Sequence, residues 1–114
     1  MKIERFEDII AWKKAGSLAL FIYSDFKICK DFGFRDQIQR AGISIMNNIA
    51  EGFERKTNND FKLFLFIAKG SCGEVRSMLY LAKSLKYLNQ EEFEKLSGMS
   101  LEISKMLSGL IKTL

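Results

Sequence analysis

The stretch Phe61-Lys62-Leu63-Phe64-Leu65-Phe66-Ile67-Ala68-Lys69-Gly70-Ser71-Cys72-Gly73-Glu74-Val75-Arg76-Ser77-Met78-Leu79-Tyr80-Leu81-Ala82 carries two apolar lines at once. Steps of three and four residues place Phe61, Leu65, Ala68, Cys72, Val75, Leu79 and Ala82 on one line. The second line holds Phe64, Ile67, Ser71, Glu74, Met78, Leu81, Leu85 and Leu88. Residues three and four apart share one face of an α-helix, whereas a strand alternates from residue to residue. The spacing predicts a helix from about Asn59 to Leu88 that is buried on two sides.

The same rhythm extends in both directions. Downstream, Phe93, Leu96, Ser100, Ile103, Leu107, Leu110 and Leu114 form a single stripe on a helix predicted from about Glu91 to Lys112. Upstream, a helix from about Asp8 to Phe26 has Ile9, Trp12, Gly16, Ala19, Tyr23 and Phe26 on one line and Ala11, Ala15, Leu18 and Ile22 on another. Between them, a helix from about Phe34 to Glu54 carries Phe34, Ile38, Ala41, Ile45, Asn48 and Gly52. Thr57-Asn58-Asn59-Asp60 and Asn89 with Glu91 and Glu92 offer oxygens to the free N–H groups that open the third and fourth helices. The expected fold is all-α, an antiparallel up-down-up-down four-helix bundle, with residues 1–114 as one domain.

A bundle of this kind needs one apolar stripe per helix. The second lines on the first and third helices therefore predict self-association, the alternative being a wide core stripe.

Composition narrows the chemistry. The 114 residues are 47% hydrophobic and 28% charged, with no proline. Folding a chain of this length removes roughly two-thirds of its surface from water, so no covalent staple is needed. Cys29 and Cys72 have no paired spacing and sit among apolar residues, which predicts reduced thiols. The chain has no histidine, which excludes Ser-His and Cys-His nucleophiles, HExxH zinc sites and ExxH iron sites. Met1-Lys2-Ile3-Glu4-Arg5 mixes acids with bases, unlike a signal peptide, and the longest uncharged apolar run is only Leu18 to Tyr23. These features predict a cytoplasmic protein that is not an enzyme, with no cofactor, metal, membrane or small-molecule substrate.

Several polar residues interrupt the seams. Asn48 lies on the second helix's line with Glu51 beside it, and Ser71 and Glu74 lie on the third helix's second line. A buried carboxylate requires a partner. The economical expectation is a structural polar cluster of Asn48, Glu51, Ser71 and Glu74, joined by Arg40 or Arg76, that links two helices or two subunits. A catalytic carboxylate pair built on Asp36, Glu51 and Glu74 is the weaker reading. Gly16, Gly42, Gly52, Gly70 and Gly73 predict close helix contacts, since each costs about 1 kcal/mol relative to alanine inside a helix. Gly70-Ser71-Cys72-Gly73 lacks the spacing of a phosphate loop and follows no strand.

Net charge is +4, and the excess concentrates between residues 57 and 88, where five basic residues face two acidic ones. Lys13, Lys14, Arg35, Arg40, Arg55, Lys56, Lys62, Lys69, Arg76, Lys83 and Lys86 form a candidate basic patch, which an oligomer would multiply around its axis. Most Phe and Tyr side chains fall on the seams and read as core rather than as base-stacking platforms.

Four motifs then point to a family. These are Phe6-Glu7-Asp8-Ile9-Ile10-Ala11-Trp12-Lys13-Lys14-Ala15, Arg35-Asp36-Gln37-Ile38-Gln39-Arg40-Ala41, Ser44-Ile45-Met46-Asn47-Asn48-Ile49-Ala50-Glu51-Gly52-Phe53, and Ile67-Ala68-Lys69-Gly70-Ser71 followed by Glu74. The pattern resembles the bacterial four-helix-bundle proteins encoded in intervening sequences of 23S ribosomal RNA genes, the S23 type. The resemblance spans the whole chain. It implies an antiparallel bundle assembled as a homopentamer, in accord with the second apolar lines. The family is also similar to the accessory variability proteins of diversity-generating retroelements, which share the barrel and bind reverse transcriptase and nucleic acid through basic surfaces. Two departures stand out. The usual Ser-Ile-Pro-Ser-Asn appears as Ser44-Ile45-Met46-Asn47-Asn48, and a frequent second arginine is Gln39, which subtracts a charge from the binding face.

The expected function is a homo-oligomeric bundle that binds structured RNA or a ribonucleoprotein, with Arg35, Arg40, Arg55, Lys56, Lys62 and Lys69 as the nucleic-acid contacts. The competing expectation is a scaffold for a partner protein, such as a reverse transcriptase, without direct nucleic-acid binding.

Overall fold

The computed structural model describes residues 2–114; Met1 lies outside them. A 3-10 turn over Phe6–Asp8 leads into α1 (Ile10–Asp25), α2 (Phe32–Phe53), α3 (Asn58–Ser84) and α4 (Gln90–Lys112). Short turns make consecutive helices antiparallel. Each helix packs on its sequence neighbours, α1 closes against α4, and the backbones of the diagonal pairs stay further apart among the described residues. The result is an up-down-up-down bundle with extents of 42 × 22 × 19 Å.

The core stripes follow the sequence lines. On α3, Phe61, Leu65, Ala68, Cys72, Val75, Leu79 and Ala82 are all buried, as are Phe93, Leu96, Ser100, Ile103 and Leu107 on α4. On α1 the buried stripe is Ala11, Ala15, Leu18 and Ile22, with Ala19 beside it. α2 adds Ile38, Ala41, Ile45 and Ile49, so all four helices share one core.

Caps explain the boundaries. Thr57 Oγ1 accepts from the Asp60 N–H at 3.1 Å, and Asn89 and Glu92 form a reciprocal capping box at 2.8 and 3.0 Å. α2 starts at Phe32 because Asp31 Oδ1 accepts from the Phe34 N–H at 3.2 Å, a cap that the periodicity alone does not reveal. The expectation that the third helix runs to Leu88 needs correction. It stops at Ser84 because Lys86 adopts a left-handed conformation with φ 63°, and the Tyr87 N–H bonds back to the Ala82 carbonyl at 2.8 Å. This is a Schellman turn without its usual glycine, so the sequence carries no obvious stop signal. Tyr87 then donates its O–H to Asp31 Oδ2 at 2.8 Å, tying the α3–α4 turn to the start of α2.

Candidate functional site

The polar residues of α2 and α3 separate into two groups. Ser44 Oγ and Ser71 Oγ lie 3.0 Å apart across the helix pair, and Asn48 Nδ2 donates to the Ser44 carbonyl at 2.8 Å and to Ser44 Oγ at 3.0 Å. Ser71 Oγ also reaches the Ile67 carbonyl at 3.3 Å. Asn48 and Ser71 are thus brought together, with Ser44 as the link that the sequence reading passes over.

Glu51 and Glu74 do not join them, which corrects the expectation of buried carboxylates within the chain. Both are exposed. Each follows its seam residue by three positions, a rotation of about 60° that carries the side chain out of the helix contact. Glu51 pairs with Arg55 at 2.6 Å, whereas Glu74 forms none of the chain's ion pairs among the described residues.

Gly52 explains the close approach at this end of the pair. A Cβ there would stand 2.6 Å from Phe64 Cβ and 3.1 Å from Phe61 Cδ1. Gly42 meets the same need against α1, where Ile22 Cδ1 would be 2.9 Å away. Gly70 and Gly73 behave otherwise, because nothing lies within 4 Å of an added Cβ. Their expected close contacts are absent within the chain, and they leave bare backbone on the outer side of α3.

That outer side is apolar. Leu63, Phe66, Ile67 and Leu81 flank Gly70 and Glu74, with Phe66 53% exposed and Leu81 51% exposed. A second apolar surface lies between α1 and α2, where Trp12, Gly16, Ala19, Leu20, Tyr23 and Met46 line a groove of about 520 Å³.

Among the six candidate phosphate contacts, Arg35 and Arg40 do not share one side of α2. Arg35 and Arg40 are five residues apart on α2, about 140° around the helix. Arg35 stacks on the Phe32 ring at 4.7 Å with Asp36 at 4.0 Å, and Arg55 covers the Phe64 ring at 4.6 Å while holding Glu51. Arg40 and Lys56 are exposed, Lys62 and Lys69 are half-buried, and none of the four forms an ion pair among the described residues.

The remaining reactive groups are quiet. Cys72 is buried in α3, and burial pushes its thiol up to about 11, the range of a protonated, unreactive sulfur. Cys29 is half-buried in the α1–α2 turn, and both thiols are free. Among the described residues, no group of three or more Cys, Asp or Glu side chains is placed to hold a metal ion, and no helix is long and apolar enough to cross a membrane.

Residues 7–109 match the family model described as 23S rRNA-intervening sequence protein. The chain belongs to the 23S rRNA-intervening sequence protein family. A crystal structure from Bacteroides thetaiotaomicron, described as a protein with unknown function from the S23 ribosomal protein family, superposes with a TM-score of 0.85 at 31% identity. The match covers 90% of this chain and 99% of that one. No curated protein matches this member of the family. Within this signature, Asn48 and Gly52 of α2 and Ser71 of α3 lie at the α2–α3 contact, whereas Glu51 and Gly70 are exposed.

Proposed function

We propose that this family member is a non-enzymatic helical bundle that assembles from copies of itself, in the fivefold arrangement implied by its resemblance, and binds structured RNA or a ribonucleoprotein through a basic surface. The observation that carries the reading is the outer face of α3, where Leu63, Phe66, Ile67 and Leu81 surround the bare backbone of Gly70. Contiguous exposed apolar surface marks an association site. The α1–α2 groove is a second face of different build, and two unlike faces favour head-to-tail contacts that close into a ring. A ring multiplies each subunit's net charge of +4 around one axis, which suits a phosphate backbone. Native mass spectrometry of protein purified at low salt without nuclease tests this reading. A five-subunit mass with nuclease-sensitive heterogeneity supports it, and a monomer overturns it.

The α1–α2 groove favours a second reading, a scaffold for a partner protein such as a reverse transcriptase. Its walls are mainly apolar and aromatic, with Trp12, Tyr23 and Met46 among them and Lys13 and Ser17 as the polar members, which suits an inserted apolar side chain. Stoichiometric recovery of one protein from nuclease-treated lysate, lost in Gly16→Trp, would select this reading.

A further inference from the structure

We infer that the groove between α3 and α4 is the surface that meets the RNA phosphate backbone, an assignment that rests on the RNA reading above. Lys62, Lys69, Arg76 and Lys83 recur at intervals of seven residues along α3. Seven residues fall about 20° short of two full turns, and the seam between two helices packed at a shallow angle drifts by the same amount. Cations at this spacing stay beside a seam along its length. Two contacts identify the seam: Lys83 Nζ lies 4.7 Å from the centre of the Phe93 ring of α4, and the Tyr80 ring packs edge-on to it at 5.2 Å. Between Lys69 and Arg76, Ser100 Oγ of α4 donates to the Cys72 carbonyl at 3.0 Å. At about 1.5 Å per residue, the four cations are spaced roughly 10 Å apart over roughly 30 Å.

Burial and charge agree with this placement. Lys62, Lys69 and Arg76 are half-buried and Lys83 is exposed, so aliphatic stems lie along the bundle while the charged heads reach water. Among the described residues, the ion pairs use Arg5, Lys14, Arg35, Arg55 and Lys95 and none of these four. The acids of α3 point elsewhere: Asp60 precedes Lys62 by two residues and Glu74 precedes Arg76 by two, each about 160° away around the helix. On α4, Lys95 and Glu102 are engaged with Asp25 and Lys14 of α1. The rim turned away from α1 carries Glu94, followed on the same line by Lys105 and Lys112, which leaves it positive. The rail is thus a straight, repeating series of cations, and a regularly charged polyanion is the ligand that such a series fits.

The test is fluorescence anisotropy with a labelled RNA stem-loop across salt, on the intact protein and two fourfold variants. One carries Lys62→Gln, Lys69→Gln, Arg76→Gln and Lys83→Gln. The other carries Lys2→Gln, Arg5→Gln, Lys27→Gln and Lys30→Gln, which removes the same charge elsewhere. Four phosphate contacts give a log–log salt slope of about −3, hence a loss of roughly 50- to 150-fold in affinity between 50 and 200 mM salt. The groove variant is expected to lose about 3 from the slope and the control variant much less. Should the groove variant not fold by circular dichroism, the pair Lys69→Gln and Arg76→Gln is expected to remove about half as much. Equal losses in both variants would overturn the groove assignment and leave RNA binding standing. No binding by the unaltered protein would overturn both.

Discussion

Gly52 of α2 and Phe64 of α3 stand so close that a Cβ on the glycine would lie 2.6 Å from the Phe64 Cβ. The Phe64 atom is anchored to its backbone and cannot swing aside. Gly52→Ala is expected to destabilise the bundle by about 1–3 kcal/mol, because overpacking outweighs the better helix propensity of alanine. Gly70→Ala, with open space around it, is expected to stabilise the isolated chain by up to about 1 kcal/mol. Urea denaturation of both variants measures the contrast, and equal signs would contradict it.

The hydroxyl contact at the centre of the same helix pair is open to a double-mutant cycle. Ser44→Ala or Ser71→Ala alone leaves the other hydroxyl short of a partner and is expected to cost about 1 kcal/mol, with a similar coupling energy between them. Glu74→Ala, on an exposed side chain, is expected to change the stability of the isolated chain by less than about 0.5 kcal/mol.

Phe66→Arg and Leu81→Arg probe the outer face of α3. Each side chain is about half exposed, so charge there is expected to leave the helical circular dichroism spectrum intact while reducing the mass of the proposed assembly. An unchanged mass would show that this face is not a subunit contact.

Lys86 marks an opportunity for stabilisation. It occupies the left-handed position of the Schellman turn with φ 63°, where glycine is favoured. Lys86→Gly is expected to raise stability by roughly 0.5–1 kcal/mol, read as a higher melting temperature. A fall would indicate that the lysine side chain contributes more than its backbone strain removes.

The thiols give a pH signature. The Cys72 thiol ionises near 9 when unfolded and at about 11 when buried, so its contribution is fully present below pH 9 and is lost as the pH climbs from 9 toward 11. Tyr87, raised by its hydrogen bond to the Asp31 carboxylate, acts in the same direction above its ordinary range near 10. Thermal melts are therefore expected to fall through this alkaline window. Ellman's reagent is expected to label Cys29 readily at neutral pH and Cys72 only as the bundle opens.

The sequence by itself determined the helices, their order and the core stripe of each. Periodicity of three and four is a local property, and the polar caps at Thr57 and Asn89 lie next to the residues they serve. It also carried the family signature and the polarity of Asn48 and Ser71. Tertiary structure alone decided which surplus lines lie outside the bundle core, because Leu81 and Val75 look alike in one dimension and differ only in whether a neighbouring helix of the chain lies over them. It decided that Gly52 and Gly42 admit a partner helix whereas Gly70 faces open space. It left Glu51 and Glu74 exposed, about 60° around their helices from Asn48 and Ser71. It also set Arg35 over Phe32, Arg55 over Phe64 and Lys83 over Phe93 of α4, since a charge belongs to a surface only after the packing of helices has defined one.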